Sequence, residues 1–236
     1  MLFLHETHEV RGARESDFDA AYREVWMSTL ARGDEARLLY FLRHAHGTGP
    51  SYRIVTITAV RDGAAWEKLA RRIESGDLTE WAASVDELRH EVEAKILIPL
   101  PWSPLQSIDL AAVPTDARTH DLSLFMEDTV WPYEGKLGEY IERSGSHYAE
   151  EMKHATEVGP RILTVDASYR TAFGTGRRRE IVLWQKVVQT AALERLLCRE
   201  VPEAYLRPGT WMHDALALRD QWRSRLLRTV SWSPLH

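Results

Sequence analysis

Apolar residues recur along the first half of the chain with two spacings, one typical of strands and the other of helices. Residues 2–10 alternate between apolar and polar side chains without a helix breaker, which predicts a strand. Phe18, Tyr22 and Leu30 then follow helical spacing. The whole pattern predicts the order strand, helix, strand, strand, helix, helix, strand, with strands at 2–10, 37–46, 52–60 and 95–100.

The second half of the chain repeats this order. Its predicted strands are 123–131, 161–173, 180–188 and 227–232, and its predicted helices cover 137–152, 190–201 and 210–226. Short motifs return as well: Trp102-Ser103-Pro104-Leu105 as Trp232-Ser233-Pro234-Leu235, Gly47-Thr48-Gly49 as Gly174-Thr175-Gly176, and Leu88-Arg89 as Leu218-Arg219. The offset grows from 122 residues (Leu2 to Leu124) to 130 (Trp102 to Trp232). This predicts a duplicated domain, with repeats at 1–106 and 122–236 and a linker at 107–121.

The order of elements within each copy also indicates a fold class. Strand–helix–strand–strand–helix–strand is the ferredoxin-like pattern, an antiparallel sheet with helices on one face. The other face of such a sheet must be covered, and a second copy supplies the cover. We therefore predict an α+β protein in which two ferredoxin-like repeats form one dimeric α+β barrel within a single chain. The space enclosed by the barrel is the expected ligand site.

Composition narrows the choice of partners. The formal net charge of −5 argues against a nucleic-acid partner, which would need a basic face. The single cysteine, Cys198, allows no intrachain disulfide and is expected in an apolar helix stripe of the core. No window approaches the length of an apolar membrane span, and the first residues do not resemble a signal peptide. We expect a cytoplasmic protein with no nucleic-acid or membrane partner, and a homodimer stays open.

Two segments of the second copy resemble a known family. One segment resembles the opening strand, glycine turn and helix start of NIPSNAP-type domains. It is the run Phe125-Met126-Glu127-Asp128-Thr129-Val130-Trp131-Pro132-Tyr133-Glu134-Gly135-Lys136-Leu137-Gly138-Glu139-Tyr140. Glu180-Ile181-Val182-Leu183-Trp184 resembles the third strand of that family. The resemblance implies the dimeric α+β barrel superfamily. That group includes antibiotic-biosynthesis monooxygenases, haem enzymes such as chlorite dismutases, and small-molecule binders.

Strand periodicity predicts which side chains of the first strand of each copy point into the barrel. If Leu2 and Leu4 face the helices, Phe3, His5 and Thr7 face inward, and the repeat places Phe125, Glu127 and Thr129 on the matching inner face. His5 and Glu127 are then counterparts that could face each other. A carboxylate that fixes an imidazole makes it a candidate general base. A hydrogen-bonded pair without chemistry is the alternative interpretation.

The second strand of the first copy carries more candidates. If Leu39 and Phe41 face the helices, Tyr40, Leu42, His44 and His46 point inward. His44 and His46 would lie roughly 6.5–7 Å apart along one strand face, close enough to share a metal with His5. Because the matching positions of the second copy are Thr171 and Phe173, hydrogen bonding is favoured over a metal. Asp166 falls on the helix side by simple counting, so either a bulge shifts the register or Asp166 is paired there.

The resulting site hypothesis has two parts. His5, Glu127 and His44 are the predicted catalytic residues, and no metal ligand is assigned. The predicted substrate-binding residues are Tyr40, His46, Phe3, Phe125, Tyr169 and Trp184. The favoured function is an oxygenase for a hydrophobic aromatic or polyketide-like substrate, without a permanently bound cofactor. Reduced flavin and haem stay open as cofactors. The alternatives are a non-catalytic NIPSNAP-like binder of small molecules and a haem or metal enzyme of the same fold.

Overall fold

The structure is a computed structural model that describes residues 1–154, 162–174 and 178–236, without the side chains of residues 153, 154 and 174. In these ranges, eight antiparallel strands close into one barrel. The strands are β1 (Leu2–Val10), β2 (Ala36–His44), β3 (Arg53–Val60), β4 (Arg89–Pro99), β5 (Leu124–Val130), β6 (Leu163–Gly174), β7 (Ile181–Val187) and β8 (Trp222–Thr229). Their order around the barrel is β1-β3-β2-β8-β5-β7-β6-β4. The predicted α+β class with a closed antiparallel barrel is confirmed.

Each half of the chain contributes four neighbouring strands. The first half contributes β4-β1-β3-β2, and the second contributes β8-β5-β7-β6, which is the same order of equivalent strands. The halves meet where β2 pairs with β8 and where β4 pairs with β6. Every strand therefore has two neighbours, and no sheet edge is left open.

Helices cover the outside of the barrel. They are α1 (Glu15–Ala20), α2 (Met27–Leu30), α3 (Gly63–Ser75), α4 (Thr79–Leu88), α5 (Leu137–Arg143), α6 (Ala149–His154), α7 (Leu193–Cys198) and α8 (Trp211–Asp214). Two π-helical segments, Ala21–Trp26 and Ser144–Tyr148, link α1 to α2 and α5 to α6. No helix in the described ranges has the length and apolar character needed to span a bilayer.

The second half departs from the predicted elements in its last third. The helix predicted at 210–226 is wrong, because only Trp211–Asp214 and a 3₁₀ turn at Ala215–Ala217 are helical and β8 already begins at Trp222. Pairing along the whole of β5 satisfies the backbone groups of 222–226, which a local spacing rule does not see. Cys198 is exposed at the end of α7, so its predicted place in the core is also wrong.

Two β-bulges decide which side chains enter the barrel. A register shift between Leu38 and Tyr40 places both Leu39 and Tyr40 in the inner cluster, so the predicted helix-facing position of Leu39 is wrong. A second shift between Val165 and Ala167 leaves Asp166 unpaired in the ladder. Of the two explanations for Asp166, the structure shows the bulge. A bulge inserts one residue into a strand and so reverses the facing of all that follow.

The chain closes one end of the barrel with its own loops. Leu110 and Val113 are buried against the inner cluster, and Leu105, Ile108 and Leu235 pack beside them. A 3₁₀ turn at Leu110–Ala112 shapes this segment, and the side chain of Asp109 accepts a hydrogen bond from the amide of Ala111. The stretch predicted to link the two repeats therefore covers the barrel end next to Phe3 and Phe125.

Candidate functional site

A histidine and a carboxylate meet inside the barrel. His5 projects inward from β1 and Glu127 from β5, and Nε2 of His5 lies 2.8 Å from Oε2 of Glu127. Each residue is 1% exposed. The structure thus brings together the two inward residues of the equivalent first strands.

An arginine of β8 completes this group. Nε of Arg225 donates to Oε1 of Glu127 at 3.0 Å, and its Nη2 lies 2.8 Å from the same oxygen. Nη2 also donates to Oγ1 of Thr7 at 3.3 Å. Burial alone would raise the pKa of Glu127, but the positive charge of Arg225 and the contact with His5 outweigh it and hold that pKa well below its usual range. Glu127 is therefore ionised.

His5 is neutral in this setting. Burial lowers its pKa from the usual 6.5, and the attraction of Glu127 opposes that effect only in part. Because a carboxylate only accepts, Nε2 carries the proton and donates to Glu127. Nδ1 then holds a lone pair, and it is buried without a hydrogen-bond partner. An imidazole fixed at one nitrogen and free at the other can take up a proton.

A second buried ion pair lies next to His5. Lys95 of β4 is the direct neighbour of His5 in the sheet and hydrogen-bonds Oε2 of Glu180. Nε1 of Trp131 donates to the other oxygen of Glu180 at 2.9 Å. Lys95 is 7% exposed and Glu180 5% exposed. The polar centre of the barrel therefore contains two cations and two carboxylates around one neutral imidazole.

Sequence reasoning missed Lys95, Glu180 and Arg225 as site residues. Arg225 falls within the helix predicted at 210–226, and that prediction gives no indication that its side chain points into the barrel. The offset of 130 that relates the last strands of the two copies also relates Lys95 to Arg225. The presence of a basic residue at each of these matching strand positions is therefore a sequence signal by which Lys95 and Arg225 could have been identified.

Aromatic side chains fill the barrel between this polar centre and the closed end. The ring of Phe125 stacks on Trp184 with centroids 5.1 Å apart, and Tyr40 contacts both rings at 5.4 and 5.3 Å. Phe3 and Tyr169 lie 5.0 Å apart. Burial raises the pKa of both tyrosines far above the usual range, so both stay protonated. Five of the six predicted substrate-binding residues therefore share one packed cluster.

The two histidines predicted on one face of β2 are separated. His44 is the last residue of β2, and both of its ring nitrogens are buried without partners. Burial, followed by the positive charges of Arg225 and Arg53, lowers its pKa to about 4. His46 lies beyond the strand and is exposed, so its predicted inward position is wrong. The strand ends before His46 because the Gly47-Thr48-Gly49 turn starts there.

A small cavity lies on the polar side of the site. A cavity of about 20 Å³ is lined by Thr7, Glu9, Arg53, Glu91 and Glu93, which is room for about one water molecule. Thr7 is the next inward residue of β1 after His5, so this cavity lies on the polar side of the site. Across the described ranges, no three His, Cys, Asp or Glu side chains are grouped so that they could hold a metal ion.

Haem does not fit the histidines that the structure describes in this region. Haem would need an imidazole nitrogen facing a cavity the size of a porphyrin. Nε2 of His5 is bound to Glu127, and its Nδ1 is enclosed in the packed interior. His8 lies outside the barrel wall with both ring nitrogens in hydrogen bonds. Both ring nitrogens of His44 are free, but His44 does not line the cavity at Thr7 and Arg53, which is itself only water-sized.

Comparisons with known proteins support the fold. None of the known protein-family models matches the sequence, and a search of curated proteins finds no relative. An anthrone oxidase-like protein matches over 97% of this chain and 91% of its own, with 8% identity and a TM-score of 0.58. A candidate monooxygenase from Lactobacillus acidophilus covers 99% and 96%, with 10% identity and a TM-score of 0.56. A variant of DypB from Rhodococcus jostii in complex with haem covers 98% and 93%, with 10% identity and a TM-score of 0.50.

These likenesses extend over nearly the whole chain at low identity, so they define the fold. The chain shares the α+β barrel fold of these proteins, which is the fold that the resemblance to NIPSNAP-type domains implied. Function must be argued from the site itself.

Proposed function

We propose that this protein is an oxygenase that acts on a hydrophobic aromatic substrate, with His5 as its general base. One observation carries the proposal: Nε2 of His5 lies 2.8 Å from Oε2 of Glu127, while Nδ1 is buried without a hydrogen-bond partner, in a barrel whose interior also holds the cluster of aromatic rings. The names of two structural neighbours, a monooxygenase and an anthrone oxidase-like protein, are in keeping with such chemistry.

The residues support a defined sequence of steps. Nδ1 of His5 removes a proton from an activated C–H of a phenolic or keto-aromatic substrate, and Glu127 stabilises the resulting imidazolium. Arg225 and Lys95 flank His5 and stabilise the substrate anion. This electron-rich anion then reacts with dioxygen. One oxygen atom enters the substrate as a carbonyl and the other leaves as water, so no external reductant is needed.

The packed interior has a consequence for substrate entry. Because Tyr40, Phe125 and Trp184 fill the space beside the pair, an aromatic substrate must displace some of these rings to reach Nδ1. The rings of the substrate would then replace protein–protein stacking with protein–ligand stacking.

Anthrone is a suitable probe, since it has an acidic benzylic C–H and is oxidised to a quinone. We expect the wild-type protein to consume dioxygen and form anthraquinone. His5→Asn should lower the rate at least roughly tenfold, the lower range for loss of a general base. The matched control is His90→Asn, an exposed histidine of β4 that should leave the rate unchanged. Equal rates for His5→Asn and the wild type, with both folded by circular dichroism, would exclude His5 as the base.

A non-catalytic small-molecule binder is the second candidate, because the aromatic cluster would stack on a bound ligand as well as on a substrate. A binder needs no base, and its histidine would only orient the ligand. Saturable anthrone binding without dioxygen uptake, observed by calorimetry and an oxygen electrode, would support this candidate over the oxygenase.

We also propose that the barrel arose from two ferredoxin-like repeats, at 1–106 and 122–236, with 107–121 between them. The identical strand order of the two halves supports this division. A fragment of residues 1–106 should then be a homodimer or insoluble, because its sheet would expose the inner face. A stable monomeric fragment in analytical ultracentrifugation would contradict the proposal.

A further inference from the structure

A second buried arginine lies outside the barrel wall of the second half, apart from the His5 site. Arg219, in the turn before β8, is 5% exposed, yet its Nε and Nη1 have no hydrogen-bond partner. Its guanidinium stacks on the ring of Trp222, 4.3 Å from the centroid. The guanidinium is hydrogen-bonded to the hydroxyl of Tyr140, and its charge acts on Asp128, but among the residues that the structure describes no carboxylate forms an ion pair with Arg219. A buried cation without a counter-ion is costly unless something else neutralises it.

The equivalent arginine of the first half shows what is missing. Under the repeat alignment proposed above, Arg219 corresponds to Arg89. Arg89 forms an ion pair with Asp86, one turn earlier, and its Nε donates to Oδ1 of that residue at 3.0 Å. Nη1 of Arg89 also lies 2.8 Å from Nδ1 of His8. The first-half arginine is therefore fully engaged.

Both of these polar partners are apolar in the second half. With the same offset of 130, Asp86 corresponds to Leu216, and with the offset of 122 for the first strand, His8 corresponds to Val130. The nearest acid on the strand, Asp128, instead bonds Ser224 and Gln185. The second half thus retains the buried cation, hydrogen-bonded to Tyr140, and lacks a carboxylate paired with it as Asp86 is paired with Arg89.

Leu216, at the position equivalent to Asp86, faces an open cleft. Leu216 is 52% exposed and lines a cleft of about 360 Å³ with Arg143, His213, Asp214 and Ala217. Asp214, the acid of this cleft, is hydrogen-bonded to His213 at 2.8 Å, and Arg143, which pairs with Glu139 at 3.8 Å, is a second cation beside the cleft. Arg219 does not itself line this cleft, but it follows Leu216 by three residues, the separation at which Asp86 pairs with Arg89.

We propose that Arg219 and the cleft at Leu216 form a binding site for a carboxylate-bearing small molecule, in addition to the His5 site. The carboxylate takes the place of the absent aspartate and hydrogen-bonds the guanidinium, while the exposed Leu216 and Trp222 contact the apolar part of the ligand. The site does not depend on the oxygenase proposal.

Side-chain NMR of the full chain tests this proposal with acetate as the probe. The Nε–H signal of Arg219, assigned by its loss in Arg219→Lys, should move saturably with sodium acetate and not with sodium chloride at equal ionic strength. The signal of Arg89 should not move. Leu216→Asp restores the internal counter-ion, so the Arg219 signal should shift in this variant without acetate. The variant should also bind acetate at least about tenfold more weakly, as expected for the loss of one charge-assisted hydrogen bond.

Leu216→Asn serves as the matched control, because it adds a polar group of the same shape without charge and should retain most of the acetate response. Position 216 is exposed, so both variants should fold normally. The proposal is overturned if acetate and chloride move the Arg219 signal equally, or if Leu216→Asp binds acetate as tightly as the wild type.

Discussion

Replacement of Glu127 by glutamine tests whether the buried charge network has the structure described. Glutamine keeps the size of the side chain but removes the charge that faces His5 at 2.8 Å and Arg225 at 2.8 and 3.0 Å. Arg225 is 8% exposed and would be left as a buried cation without a counter-ion, since Glu180 is already paired with Lys95. Breaking a buried pair in this way costs about 3–5 kcal/mol. That is a large share of the roughly 5–15 kcal/mol by which domains are stable.

Guanidinium denaturation followed by circular dichroism measures this loss. A second change, Arg225→Met, should restore part of the lost stability in the Glu127→Gln background, because it removes the unpaired charge. As a control, Asp116→Asn breaks the exposed pair with Arg118 and should have no measurable effect. The reasoning is refuted if Glu127→Gln costs less than about 1 kcal/mol, or if Arg225→Met lowers the stability of Glu127→Gln further.

Two further predictions concern stability. Trp232→Ala should lower the free energy of unfolding by about 3–5 kcal/mol, since Trp232 is 6% exposed. Trp102→Ala should lower it less, because Trp102 is only half-buried. Unchanged melting temperatures of both variants would show that neither ring is packed. Stability should also fall as the pH drops below 6.5. The folded pKa values of His5, His8 and His44 are all lowered, to about 4 for His44, so the unfolded chain binds protons first. His44→Asn should reduce this slope by up to about 1.4 kcal/mol per pH unit between pH 6.5 and 4, and an unchanged slope would contradict the prediction.

The pairing of His5 with Glu127 could be predicted because it needed only two regularities. Strands alternate their facing with a period of two, and the repeat relates the first strands of the copies by a constant offset. The aromatic cluster followed from the same rules, since Phe3, Phe125 and Trp184 lie on strands without a bulge before them.

The remaining errors arise where a bulge, a turn or a distant strand decides the outcome. Leu39 and Asp166 sit at bulges, which depend on how neighbouring strands twist and leave no clear local mark in the sequence. His46 follows the last ladder pair of β2, and its exposure depends on where the turn begins. Arg225 belongs to a stretch whose spacing suits a helix and a strand equally, and only its pairing with β5 selects the strand.

We propose that His5 is a neutral base with its proton held on Nε2 by Glu127. Nitrogen-15 NMR of the histidine side chains, with His5 assigned by the loss of its signals in His5→Asn, tests this directly without any substrate. At pH 7 we expect a protonated Nε2 and an unprotonated Nδ1 for His5. Two protonated nitrogens at pH 7, or the averaged tautomers of an exposed residue such as His90, would contradict it.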